Sequence, residues 1–89
     1  MITERDKKII LQSAQKYNVS SIILFGSSLE KGTEANDIDL GVKGIEPRLF
    51  FKLYAELFKH LSKPVHLIDL SKKSLFNDIV EEKGIRIYG

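Results

Sequence analysis

The chain predicts an α/β (α+β) fold: a small mixed sheet of about four strands packed with about three helices. Three observations lead there. Segments with apolar residues at helical spacing alternate along the chain with short β-branched or strictly alternating segments. Glycine, proline, asparagine and serine fall between those segments. At 89 residues, with no linker-like or repeated stretch, the whole of 1–89 reads as one domain.

The first helix is expected from Glu4 to Tyr17. Thr3 serves as its N-cap, and Asp6 stands where a capping-box glutamate would be. Ile10, Ala14 and Tyr17 recur at helical spacing with Ile9 beside them, and Asn18 is a stop. Ser21–Phe25 is a buried strand that ends at Gly26, with Ser27 or Ser28 able to cap a following turn. Residues 32–36 carry loop chemistry. In 37–42, Ile38, Leu40 and Val42 share one strand face, while Asp37, Asp39 and Gly41 share the other.

Pro47 suits the first turn of a second helix reaching about Leu61, with Phe50, Tyr54, Leu57, Phe58 and Leu61 as its apolar stripe. Residues 64–70 read as a third strand. Ser71 or Ser74 caps a third helix carrying Leu75, Phe76, Ile79 and Val80, with Gly84 as its C′ glycine. Residues 85–88 alternate as a last short strand.

Composition narrows the function classes. The chain has no cysteine, which removes disulfides, thiolate catalysis and Cys-ligated zinc. Its N-terminal residues lack the apolar run of a signal peptide, and no apolar stretch is long enough for a bilayer, so a cytoplasmic protein is expected. A net charge of +2 with scattered lysines argues against direct nucleic-acid binding. So short a chain buries a small share of its surface, so a partner protein or a homo-oligomer is expected.

The chemistry concentrates between residues 22 and 42. A glycine at a strand end, Gly26, lets a phosphate approach the backbone closely. Exposed N–H groups at a turn favour anionic oxygens, and the Ser27 hydroxyl adds a hydrogen-bond partner. Beyond the nine residues that follow Ser27, Asp37 and Asp39 project from one strand face, where their carboxylates can converge on a hard cation. Mg²⁺ takes few protein carboxylates and completes its octahedron with water and substrate phosphates. Each half has a plainer reading, a turn and a solvated strand face; their joint occurrence points to a nucleoside triphosphate site.

Leu24-Phe25-Gly26-Ser27, nine residues, then Asp37-Ile38-Asp39-Leu40 resembles the signature of polymerase-β-type nucleotidyltransferases. The short length and the helix–strand–Gly-Ser start are similar to the minimal nucleotidyltransferase branch, whose members often pair with all-helical HEPT proteins in toxin–antitoxin modules. The resemblance spans essentially the whole chain. It implies a nucleotidyltransferase fold that binds ATP or another nucleoside triphosphate and transfers a nucleotidyl group, AMP from ATP, to an acceptor. It also implies that Gly26 and Ser27 contact the triphosphate, with Ser28 and Lys31 as further nucleotide-binding candidates. Asp37 and Asp39 would hold Mg²⁺ in a two-metal site, and the partner would be a HEPT-type helical protein, to which this chain is the antitoxin.

One departure stands out. Relatives carry a third carboxylate within an apolar–Asp–apolar strand, and here the matching strand is Val65-His66-Leu67-Ile68-Asp69-Leu70. The apolar pattern puts His66 in the third catalytic position. Asp69, the only acid in the strand, falls on the opposite face unless a bulge brings it round. Imidazole is a poor Mg²⁺ ligand, so His66 reads either as a general base or as a half-buried strand histidine. An impaired nucleotide-binding or partner-docking module is the alternative function. Lys31 is either a phosphate contact or a solvated loop lysine, and His60 is a surface residue at a helix end.

Overall fold

The computed structural model describes residues 2–26 and 37–89. Ser27, Ser28 and Lys31 lie outside the described residues, as does the loop segment 32–36. In chain order the elements are α1 (Glu4–Lys16), β1 (Ser21–Phe25), β2 (Ile38–Lys43), a 3-10 turn (Pro47–Leu49), α2 (Phe50–His60), β3 (Val65–Asp69), α3 (Leu75–Lys83) and β4 (Ile85–Tyr88). Three helices and a four-stranded mixed sheet are thus present. The strand order is β3-β2-β1-β4, with β1 antiparallel to both β2 and β4, and β2 parallel to β3. The parallel pair needs a crossover, which α2 supplies.

Alternation along the strands gives the sheet two unlike faces. Ile22, Leu24, Ile38, Leu40, Val42, Val65 and Leu67 point to one face, where Ile10 and Ala14 of α1 and Leu53 and Leu57 of α2 close over them. Ile23 and Leu70 point to the other face and meet Val80 of α3, with Phe25 and Ile68 partly covered. The first face holds all seven of the largest fully buried side chains.

Local chemistry sets the boundaries. The Thr3 hydroxyl accepts from the Asp6 N–H at 3.1 Å, as an N-cap should. The Asp6 carboxylate does something other than complete a capping box. It is buried and accepts from the Ser62 N–H at 3.2 Å and from the Ser62 hydroxyl, tying the start of α1 to the turn before β3. Asn18, with φ 55°, takes the left-handed step that lets the chain leave α1.

Three expectations need correction. The second helix opens with the 3-10 turn at Pro47–Leu49, and its buried stripe runs through Leu53, Leu57 and Leu61, while Phe58 is exposed. Of the third helix's apolar residues, only Val80 is buried; Leu75, Phe76 and Ile79 face outward. Gly84 is not a left-handed C′ glycine, since its φ is −75°. A Cβ there would overlap Ile23 and the carbonyls of Leu24 and Val80, so glycine is required by the close approach of α3 to β1. No helix among the described residues is long and apolar enough to cross a membrane.

Candidate functional site

The α3-side face of the sheet, near the end of β1, brings together Asp39 and His66. Phe25 is the register partner of Asp39 across the antiparallel pair, and Asp39 is the register partner of His66 across the parallel pair. Residues paired in this way project to the same face. Asp39 therefore stands between the last residue of β1 and the second residue of β3, on a strand hydrogen-bonded along both sides. Asp37 immediately precedes β2 and is exposed.

Gly26 ends β1 in the left-handed region, with φ +67°. A Cβ at this position would run into the Asp39 carboxylate. The Gly26 backbone thus lies against the aspartate.

His66 Nδ1 lies 3.6 Å from Asp39 Oδ1, with the imidazole 63% exposed and the Asp39 side chain 17% exposed. That separation is an electrostatic contact, longer than a hydrogen bond. Asp69 behaves differently. The β2–β3 register runs without a shift through Val42 and Asp69, so Asp69 falls on the face opposite His66. Its carboxylate accepts from the Ser71 N–H at 2.9 Å and fixes the turn that leaves the strand. Among the described residues, no group of three or more histidine, cysteine or acidic side chains is assembled to hold a metal. Two carboxylates stand close in sequence here, Asp39 on β2 and Asp37 just before it, and carboxylate oxygen is the donor type that a hard cation takes along with water and phosphate.

Further residues shape the site without being evident from motif or spacing. The buried Asn77 side chain donates to the Lys72 carbonyl at 2.6 Å and the Asp69 carbonyl at 3.2 Å, while Ser74 caps the helix by accepting from the Asn77 N–H at 3.0 Å. These bonds fasten α3 to the end of β3. Lys43 reaches Glu81 at 2.7 Å and fastens β2 to the same helix. The Phe76 ring meets the Phe25 ring edge-on, with centroids 6.1 Å apart. Leu75, Phe76 and Ile79 are 78%, 54% and 47% exposed, so an uncovered apolar stripe begins beside the Asp39–His66 pair. His60, at the end of α2, is exposed.

Residues 7–89 match the family described as polymerase beta, nucleotidyltransferase. No curated protein matches in sequence. Three solved structures share the fold. A toxin-antitoxin crystallised with AMP-PNP is 23% identical with a TM-score of 0.76, covering 93% of this chain and 73% of that one. A toxin–antitoxin MntA–HepT structure is 20% identical with a TM-score of 0.73, covering 98% and 73%. A mutant of that pair with two Asp-to-Glu replacements is 20% identical with a TM-score of 0.74, covering 93% and 72%.

Proposed function

Since the chain belongs to the polymerase-β nucleotidyltransferase family, we propose that it transfers a nucleotidyl group, AMP from ATP, to an acceptor on a helical HEPT-type partner, as the antitoxin of the pair. The observation that carries this reading is the approach of the Gly26 backbone to the Asp39 carboxylate, which supports a phosphate-binding role for the former and a cation-binding role for the latter. The AMP-PNP complex of a protein of the same fold supports ATP as the donor, and the MntA–HepT structures support a partner of that kind.

In this reading Gly26, Ser27, Ser28 and Lys31 bind the triphosphate, and Asp37 and Asp39 hold Mg²⁺. When bound, the two metal ions stabilise the charge on the attacking and leaving oxygens. The protein's own work is positioning: Asp39 fixes where the carboxylate pair meets the phosphates. His66, beside Asp39 and open to solvent, accepts the acceptor's proton. The exposed Leu75-Phe76-Ile79 stripe, continuous with the site through Phe25, receives the partner that brings the acceptor.

A second reading is favoured by one observation: Asp69 is turned away, so no third carboxylate from β3 joins Asp37 and Asp39. The domain would then bind nucleotide and dock on its partner without catalysis. Incubation with α-labelled ATP, a divalent cation and the co-purified partner separates the two. Label on the partner with the wild type, and none with the Asp37→Asn/Asp39→Asn double variant, is the expected result. Absence of label under every cation, with the partner still bound, overturns the transferase reading in favour of the docking module.

A further inference from the structure

We infer that this chain associates with itself head to tail, α2 of one copy docking on α3 of the next. The inference does not depend on the nucleotide reading above. Two helices carry exposed apolar stripes. On α2, Phe51, Ala55 and Phe58 recur at the spacing that sets side chains on one helical face, and all three are exposed. Phe51 and Phe58 are 76% and 63% exposed, although the same helix buries Leu53 and Leu57 on its other side. On α3, Leu75 and Ile79 form the corresponding exposed pair, with Phe76 beside them. Because α2 closes one face of the sheet and α3 packs on the other, the two stripes look outward from opposite sides of the domain.

The charges beside the two stripes have opposite sign. On α2 stand Lys52 and Lys59, and the single acid of that helix, Glu56, is held by Lys16 at 2.6 Å. On α3 stand Asp78, Glu81 and Glu82 against Lys83, and Glu81 is held by Lys43 at 2.7 Å. Lys72 and Lys73 precede the Ser74 cap, at the other end of that helix from Glu82. Lys52, Lys59, Asp78 and Glu82 are exposed and make no ion pair among the described residues. Each of the two lysines follows a phenylalanine of the α2 stripe, and helical spacing puts both on one flank of it. Asp78 and Glu82, four residues apart, line one flank of the α3 stripe in the same way.

Charge decides which surfaces meet. Packing α2 on α2 offers the lysines no acid that is not already paired, and α3 on α3 leaves acids in excess. Packing α2 on α3 joins the two apolar stripes and sets Lys52 and Lys59 against Asp78 and Glu82. Like charges suppress the wrong contacts, and opposite charges fix the register of the right one. The contact uses two different patches, so it is heterologous and repeats from copy to copy as a ring or an open chain. Phe76 meets the Phe25 ring, and Phe25 is the register partner of Asp39, so a docked copy stands at the margin of the candidate site. The partner of the proposed function would take the same α3 stripe and displace that copy.

Sedimentation velocity on the full chain, without nucleotide or partner, tests the contact. The wild type should associate as concentration rises, and less so in high salt. Lys52→Glu/Lys59→Glu and Asp78→Lys/Glu82→Lys should each weaken association by about tenfold or more, because each variant alone presents like charges at the contact. Mixed in equal amounts, the two variants regain opposite charges across α2 and α3 and should associate as the wild type does. All four positions are exposed, so both variants keep the fold, which circular dichroism verifies. A wild type that stays monomeric at every concentration, a variant that associates alone at wild-type strength, or a mixture that remains monomeric overturns the inference. Each of those outcomes leaves the nucleotide site standing.

Discussion

The two faces of the sheet are built to different standards. On one, α1 and α2 seal Ile22, Leu24, Leu40 and Val42 almost completely from water. On the other, among the described residues, one short helix covers Ile23 and Leu70, while Phe76, Ile79 and Leu75 are exposed and Asp39 and His66 stand at the margin. The first face carries the stability that a domain of this size needs. The second is left partly open, and the polar chemistry is found there. Stability and site are separated by the thickness of one strand, because neighbouring residues of β1 point in opposite directions.

Ile22 and Ile23 offer the sharpest way to break that comparison, being adjacent, chemically identical and on opposite faces. Truncation to alanine should cost about 4 kcal/mol at Ile22, where packing surrounds the side chain, and about 2 kcal/mol at Ile23, where α3 can settle into the space. Urea denaturation of the two variants checks this; equal costs would mean that the faces are equally consolidated.

A smaller stability effect is expected for Leu75→Asp with Ile79→Asp. Both side chains are exposed, so the unfolding free energy should change by no more than about 0.5 kcal/mol per site. Capture of the proposed helical partner should nevertheless be lost. Partner binding at wild-type strength would remove the α3 stripe from the docking surface.

The smallest effect belongs to the sealed face's outer edge, where Lys16 meets Glu56 at 2.6 Å. The hydrogen bond from Lys16 holds the Glu56 carboxyl below its ordinary range, and the Lys16 ammonium is raised by the same contact. A depressed carboxylate stabilises the fold above its unfolded pKa, and that contribution fades as pH falls through the folded value. The raised lysine contributes below its unfolded pKa and loses this as pH rises through its folded value. Glu56→Gln should therefore be slightly less stable than the parent at neutral pH and indistinguishable from it in strong acid. A difference that persists in acid would assign the effect to packing instead of charge.

Much of this architecture was legible in the sequence. Ser21–Phe25 forms a strand with the expected ends, and the alternation around Asp39 puts the aspartate opposite Leu40 as predicted. Periodicity reports which residues share a face, and strands carry that signal well because their period is two. It does not report whether the face is covered. That is why Phe58 and the α3 stripe read as core and turned out exposed. Long-range polar contacts were also hidden. Asp6 is 56 residues from Ser62, and no local pattern marks the pair. Asn77 looked like an ordinary helix residue, yet it anchors α3 through two carbonyls of the preceding turn. In the candidate site, strand parity put His66 and Asp69 on opposite faces provided that β3 ran without a bulge, whereas the adjacency of His66 to Asp39 depended on the strand order and register that no local pattern reports.

The place of β2 within the sheet has a consequence for how the site meets its ligand. Asp39 belongs to an interior strand, bonded to β1 on one side and β3 on the other. Its backbone is therefore set at the moment the protein folds. In the proposed reading, a nucleotide entering the site would find this anchor already in place, with none of the binding free energy diverted into ordering that strand.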